Sequence, residues 1–134
     1  MGRDQDHSVR RGLADANQLA EFGVNCSIST NNVLNPFTPL GDCSLLRMAN
    51  LQANVCQISH AHRLRECFNM LTDRSARLMN LRDYGVRIGN PADLVVVDAT
   101  TPEQAVQEIC HPLAAFKRGH RTMTRTRAEL HKPH

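Results

Sequence analysis

The sequence lacks the features by which several function classes are recognised. It has no glycine-rich phosphate loop and no Gly-x-Ser-x-Gly turn, the signatures of phosphate-binding loops and of many serine hydrolases. It has no run of about 18 apolar residues, which a membrane-spanning helix requires. Its charged first residues lack the apolar stretch of an export signal. These absences predict a cytoplasmic protein with no membrane partner.

The cysteines lack the spacing of a metal site. Cys26, Cys43, Cys56, Cys67 and Cys110 make an odd number and include no Cys-x-x-Cys pair. Such a scattered set, in a chain without an export signal, favours reduced and mostly buried thiols over disulfides or metal ligation. We therefore expect free thiols, in agreement with the predicted cytoplasmic location.

Aromatic residues are scarce, because the chain has no tryptophan and a single tyrosine. This bears on a run of basic residues near the end of the chain, which could attract phosphates. No aromatic residue follows Phe116 to stack on a base, so we expect a solvated edge and tail and no nucleic-acid partner. The cations are Lys117, Arg118, Arg121, Arg125, Arg127 and Lys132, against the single acid Glu129.

What is present is the composition of an ordinary globular chain. With 134 residues, of which 41% are hydrophobic and 22% charged, the chain fits one domain with a modest core. Apolar residues at spacings of three and four predict a first helix from Ser8 to Phe22, which Gly23 ends. A second helix is capped by Asp42 or Ser44. Its apolar residues cover most of its circumference, which predicts packing on more than one side.

Helical spacing continues after a break at 59–62, and Asp73 starts a further short helix. Beyond residue 83 the pattern changes, because turn residues precede a β-branched run. Pro102 stands where it can open a helix, and two later extended runs predict a hairpin. The predicted elements of this part are strands at 92–98, 114–117 and 121–124 and a helix at 101–109.

Two histidines one residue apart, His60 and His62, have the spacing of a metallohydrolase pair on a strand. Here they lie in the break between two predicted helices, where this spacing splays the two rings. No acidic residue follows them before Glu66. We therefore expect two solvated histidines and not a metal site.

One stretch combines strand and site features. Val24, Cys26 and Ile28 alternate with small polar residues, and a loop rich in amides and hydroxyls follows, up to Pro36. The pattern predicts a buried strand that ends in a polar loop, typical of the edge of an α/β barrel that carries the chemistry. The loop has the side-chain types of a site but no charge.

The same stretch resembles a known family. Gly23-Val24-Asn25-Cys26, the run Ser29-Thr30-Asn31-Asn32-Val33-Leu34-Asn35-Pro36-Phe37 and Pro39-Leu40-Gly41 resemble the eighth-strand region of cytosine deaminase-like amidohydrolases. The resemblance extends upstream to Gly2-Arg3 and Arg10-Arg11-Gly12, and downstream to residues 75–81, 83–85 and 89–96. It covers nearly the whole chain.

This resemblance implies an α/β fold, a metal-dependent (β/α)8 barrel with a small β-sandwich, that hydrolyses C–N bonds in cyclic amidines or amides. Zinc or iron would activate a water molecule. The chain resembles only the C-terminal third of such an enzyme. Residues 1–82 then correspond to the last part of the barrel, 83–124 to part of the β-domain, and 125–134 to a tail.

The resemblance also implies site residues. Asn31 stands where the family has an aspartate that contacts the metal and moves a proton, and Asn32 and Phe37 stand at substrate-binding positions. An amide cannot take up a proton near neutral pH. The family's other metal ligands belong to earlier strands, so we expect no catalytic residue and no metal ligand in this chain.

Three functions follow as hypotheses. In the first, the chain is a C-terminal amidohydrolase segment that is inactive alone and needs a separately encoded N-terminal half. In the second, it is a non-catalytic binding or assembly module, such as a homo-oligomer. The third and weakest is nucleic-acid binding through the basic tail, for which steep salt dependence would be the signature.

Overall fold

The computed structural model describes residues 12–36 and 38–132. Within them, four helices precede a strand, a fifth helix and two further strands. No helix in these ranges has the length and apolar character needed to cross a membrane. The helices are α1 Ala16–Glu21, α2 Leu45–Val55, α3 Ala61–Asn69, α4 Asp73–Leu78 and α5 Pro102–Gln107, and the strands are β1 Leu94–Val97, β2 Pro112–Lys117 and β3 His120–Thr124.

Helix α1 ends where the sequence predicts. Gly23 has a φ of +84° and donates its backbone N–H to the Ala20 carbonyl at 2.9 Å, while Val24 donates to the Leu19 carbonyl at 3.1 Å. These two bonds form a Schellman motif, in which glycine tolerates the left-handed conformation. The predicted start of the helix at Ser8 lies outside the described residues.

Helix α2 begins after Ser44, one of the two predicted caps. The Ser44 hydroxyl accepts a hydrogen bond from the backbone N–H of Arg47 at 3.3 Å. Among the described helices, α3 and α5 contact α2, and its buried residues are Ala49, Gln52 and Ala53. The predicted packing does not extend around the whole apolar circumference of α2. The large apolar residues left exposed on it are Leu45, Leu51 and Val55.

Helices α2, α3 and α5 enclose the core. The Asn50 side chain on α2 donates to the carbonyls of Val106 and Gln107 at 2.9 and 3.2 Å, which ties α2 to the end of α5. Met70 and Cys67 are fully buried at the end of α3. The core residues are Ile28, Ala49, Ala53, Ile58, Leu64, Cys67, Met70 and Val106.

The strands form one antiparallel sheet in the order β1-β2-β3. Arg118 and Gly119, with φ of 50° and 80°, make the turn between β2 and β3, as in a type I′ hairpin. The Asp93 carboxylate accepts from the Arg118 N–H at 2.7 Å and pairs with Lys117. Four predicted elements are confirmed: the hairpin, strand β1, helix α4 starting at Asp73 and helix α5 starting after Thr101.

The predicted buried strand at residues 24–28 is wrong. These residues belong to no helix or strand, no described strand pairs with them, and Ile28 is the only one of them that is buried. The Ile28 N–H donates instead to the Met70 carbonyl at 3.3 Å, at the end of α3. A strand needs a neighbour for its backbone groups, and the described residues supply a helix end in its place.

Candidate functional site

The polar loop that follows residues 24–28 is held together by its own amide side chains. Asn35 donates from Nδ2 to Asn32 Oδ1 at 2.7 Å, and its own Oδ1 accepts from the Thr38 backbone N–H at 3.0 Å. The backbones of Asn35 and Thr38 also exchange two hydrogen bonds, and the Thr30 hydroxyl donates to the Asn32 carbonyl at 3.0 Å. The loop is thus a closed turn with a defined shape.

The predicted site residues differ in what they can offer a ligand. Asn31 is exposed, and its side chain bonds to none of the described residues. Asn32 is half-buried, and its Oδ1 accepts from Asn35, so it can offer a ligand its Nδ2 and the remaining lone pair of Oδ1. Phe37, the third predicted residue, lies outside the described residues. The loop can therefore donate and accept hydrogen bonds, but its amides cannot act as a base.

The segment 24–28 before the loop is held by helix α4. Asn25 donates from Nδ2 to the Arg74 backbone carbonyl at 3.1 Å, and the Ser27 and Ser75 hydroxyls are hydrogen-bonded at 3.0 Å. Arg74 also forms an ion pair with Glu66. Asn25 Oδ1 is buried and has no partner among the described residues. These contacts fix the position of the loop relative to helix α4.

The far side of the loop packs on a glycine. Gly41 has a φ of +125°, and a Cβ placed there would lie 3.2 Å from Val33 Cγ1. A side chain at this position would be strained and crowded, so glycine lets the chain return closely past the loop.

Residues 22–41 carry no charged side chain, and the first charged residue after the loop is Asp42. Arg47 bonds to the Asp42 carboxylate at 2.7 Å, and this hydrogen bond lowers the pKa of Asp42 to about 2. The Asp42 carboxylate also accepts from the Ser44 N–H at 3.1 Å. With Arg47 and the Ser44 N–H as partners, Asp42 is bound in a structural pair and is not poised for proton transfer.

The described residues do not fit a divalent metal centre. They contain no group of three or more His, Cys, Asp or Glu side chains that could hold a metal ion. His60 and His62 are exposed, as expected, but their rings stack with centroids 5.8 Å apart instead of splaying, because His60 precedes helix α3 as its N-cap. The amides of the loop are uncharged and weak ligands.

The cysteines are all free thiols. Cys67 is fully buried, and burial raises the pKa of its thiol to about 11. Such a thiol stays protonated near neutral pH and is a poor nucleophile and metal ligand. The expectation of mostly buried thiols is met by Cys67 and Cys110, while Cys43 is exposed.

Several residues of the basic run have partners. Lys117 pairs with Asp93, Arg127 pairs with Asp98 at 2.7 Å, and Arg121 lies 5.4 Å above the Phe116 ring. These three cations are therefore bound to residues between Asp93 and Phe116 of the same chain.

Two clefts of the described surface lie apart from the loop. One of about 580 Å³ lies between α2, α3 and α5, and one of about 320 Å³ follows the connection from Gly85 to Leu94. Neither is lined by Asn31 or Asn32.

Comparisons with known proteins identify the class. A sequence model described as the amidohydrolase family matches residues 2–119. The chain belongs to the amidohydrolase family, and the predicted resemblance to cytosine deaminase-like members is confirmed by its structural neighbours. Its helices and antiparallel sheet resemble a fragment of the amidohydrolase fold.

Individual relatives are similar over most of this chain. N-isopropylammelide isopropyl amidohydrolase of Pseudomonas sp. (strain ADP) is 25% identical over 103 residues, 76% of this chain and 26% of that protein. The crystal structure of 5-methylcytosine deaminase from Klebsiella pneumoniae, liganded with phosphonocytosine, is 28% identical with a TM-score of 0.87, covering 98% of this chain and 32% of that one. The same enzyme liganded with 5-fluorocytosine gives a TM-score of 0.88.

A further structure, N-isopropylammelide isopropylaminohydrolase from Burkholderia multivorans ATCC 17616, is 28% identical with a TM-score of 0.62, over 66% of this chain and 23% of that one. The chain thus spans about a quarter to a third of the length of the relatives it matches.

Sequence reasoning missed the role of Asn35. This residue holds Asn32 and closes the turn with Thr38. The signal was present, because an asparagine before a proline favours turn initiation and its side chain bonds to backbone groups nearby.

Proposed function

We propose that this chain is the C-terminal segment of a cytosine deaminase-like amidohydrolase and that it has no catalytic activity alone. The observation that carries the proposal is Asn31, an exposed amide at the position where the family has its proton-shuttling aspartate. The loss of a general base costs roughly 10²–10⁴ in rate. The short span relative to the known enzymes supports the same proposal.

In this proposal, residues 1–82 are the last part of a (β/α)8 barrel, 83–124 are part of a small β-sandwich, and 125–134 are a tail. The segment at 24–29 takes the place of the last barrel strand. Asn25 and Ser27 anchor it to helix α4, and it has no strand neighbour among the described residues. The missing neighbours would come from an N-terminal half.

The loop is the part that would meet the substrate. Asn31 and Asn32 offer amide donors and acceptors, and Phe37 is the aromatic residue that the family resemblance assigns to substrate binding. This set suits a flat, neutral ring with amide or amidine edges, because uncharged donors and acceptors match such edges without a counterion. Zinc or iron would be held by the N-terminal half, where it would supply an activated water.

Two assays on the purified chain test the proposal. We expect no ammonia release from cytosine and less than stoichiometric zinc and iron by elemental analysis. Turnover by the chain alone, with one bound metal per chain, would overturn it.

A complementation assay tests the role of Asn31. The N-terminal two-thirds of a related deaminase, expressed with this chain, should form a complex with little activity. Asn31→Asp should raise its rate by roughly 10²-fold or more, because it restores a base. The matched control is Asn80→Asp, which adds the same charge to an exposed residue outside the loop. An equal rise in both variants would contradict the assignment.

The second candidate function is a non-catalytic binding module. The braced and neutral loop favours it, since the loop keeps a defined shape in this chain without a metal ligand or a base. Binding of a cyclic amide by the chain alone, lost in Asn32→Leu and without turnover, would support this function.

A further inference from the structure

An asparagine side chain can be attacked by the backbone of its own chain. The backbone nitrogen of the next residue lies close to the side-chain carbonyl carbon, so the reaction is intramolecular and is favoured by proximity. It requires a side chain that is free to turn and a following N–H that is free to react. The asparagines of this chain are Asn17, Asn25, Asn31, Asn32, Asn35, Asn50, Asn54, Asn69, Asn80 and Asn90.

Most of these asparagines lack one of the two conditions. Asn35 and Asn90 each precede a proline, which has no backbone N–H. The asparagines in helices have side chains that donate hydrogen bonds to carbonyl or carboxylate oxygens, and the helix holds their backbone. These helical residues are Asn17, Asn50, Asn54 and Asn69.

Asn25 and Asn32 lie outside the helices, but their side chains are bound. Asn25 donates to the Arg74 carbonyl at 3.1 Å, and Asn32 Oδ1 accepts from Asn35 at 2.7 Å. The residue after Asn32 is Val33, whose branched Cβ crowds the attacking nitrogen. Neither side chain is therefore free to turn.

Asn31 and Asn80 remain, and they differ at the following N–H. Both are exposed, and their side chains bond to none of the described residues. After Asn80, the Leu81 N–H donates to the Ala76 carbonyl at 3.0 Å, in a bond that ends helix α4. After Asn31, the Asn32 N–H donates to no described residue. In the described ranges, Asn31 alone meets both conditions.

We propose that Asn31 is a deamidation site. The Asn32 backbone nitrogen attacks the side-chain carbonyl carbon of Asn31, and the new C–N bond closes a succinimide ring. The bond from that carbon to the side-chain nitrogen breaks, and this nitrogen leaves as ammonia with the proton from the Asn32 N–H. Water then adds to one ring carbonyl and opens the ring to aspartate or isoaspartate. Water is the co-reactant, and the step needs no oxidant or reductant.

The aspartyl product changes the chemistry of the loop but not its internal bonds. The hydrogen bonds that join Asn35 to Asn32 and Thr38 do not involve Asn31. Because residues 22–41 carry no charged side chain, the new carboxylate is the only charge there. A carboxylate can take up a proton, which an amide cannot. That it supplies the base of an amidohydrolase rests on the proposed function, whereas the deamidation does not.

Peptide mapping by mass spectrometry tests the site on the full chain, incubated at mildly alkaline pH. We expect conversion at Asn31 to be roughly tenfold faster or more than at Asn80, where the Leu81 hydrogen bond must break before attack. Conversion no faster at Asn31 than at Asn80 would overturn the proposal.

A matched pair of variants tests the attacking nitrogen. Asn32→Gly and Asn32→Ile both remove the bond from Asn35, but only the second crowds the backbone nitrogen. Asn31 should convert faster in Asn32→Gly than in Asn32→Ile, and far-ultraviolet circular dichroism checks that each variant folds. Equal rates in the two folded variants would also overturn the proposal.

Activity distinguishes this proposal from the proposed function. In the complementation assay, an aged sample of the chain should gain rate in proportion to its aspartyl fraction at position 31. Asn31→Gln, aged in the same way, should not gain rate, because its longer side chain closes a ring far more slowly. Deamidation at Asn31 without a gain in rate would support the modification site and contradict the role that the proposed function gives to position 31.

Discussion

The stretch 24–28 and strand β1 are both short and both predicted as strands, but they have different structures. Strand β1 is apolar throughout and pairs with β2 along its length, from Leu94 opposite Phe116 to Val97 opposite Pro112. The earlier stretch alternates apolar and polar residues and lies against a helix corner, where the Ile28 N–H bonds to the Met70 carbonyl. The comparison teaches that a strand-forming pattern is not sufficient, because the partner decides whether a strand exists.

The largest expected effect tests what holds the unpaired stretch. Ile28→Ala should lower the free energy of unfolding by about 2–4 kcal/mol, because Ile28 is the one side chain of this stretch in the core. Val24→Ala, at an exposed position nearby, should change it by less than about 0.5 kcal/mol. Urea unfolding measures both. Equal losses would mean that the stretch is anchored along its whole length, like a paired strand.

An intermediate effect tests the side-chain bonds that replace a strand partner. The Ser75 hydroxyl donates to the Met70 carbonyl at 2.6 Å, and its oxygen is hydrogen-bonded to the Ser27 hydroxyl at 3.0 Å. Ser75→Ala should cost about 1 kcal/mol and should speed amide hydrogen exchange over residues 24–29 but not in β1. Ser59→Ala, at an exposed serine, is the control. Unchanged exchange over 24–29 would show that these bonds do not hold the stretch.

The smallest effect lies beyond the loop, at Asp42. Its hydrogen bond with Arg47 lowers its pKa to about 2, so the bond favours the charged carboxylate in the folded chain. The contribution of the pair to stability is therefore complete above the ordinary value of 3.8 and is lost as the pH falls through about 2. A carboxyl NMR titration should show this midpoint, and Arg47→Gln should return it toward 3.8. A midpoint unaffected by Arg47→Gln would refute the pairing.

Local signals in the sequence were sufficient for much of the fold. Ser44 and Thr101 cap their helices, Gly23 ends α1, and the β2–β3 hairpin turns at Arg118 and Gly119. Each of these rests on side-chain chemistry or backbone freedom within a few residues. Sequence could reach them because no distant contact is involved.

Some errors occur where a distant partner decides. The stretch 24–28 found a helix end in place of a neighbouring strand, and the apolar residues Leu45, Leu51 and Val55 of α2 stay exposed among the described residues. Other errors are local. The orientation of the His60 and His62 rings depended on where helix α3 begins, and the bond from Asn35 to Asn32 was missed although the two residues are three apart.

By itself, the sequence determined the family, the helix ends, the hairpin and the neutral chemistry of the loop, because these depend on residue types and short spacings. Only the tertiary structure decided that residues 24–29 rest on the α3–α4 corner and that the sheet presents one apolar and one polar edge. The reason is physical: backbone groups and apolar faces are satisfied by whatever lies beside them, and residues close in sequence do not specify that neighbour.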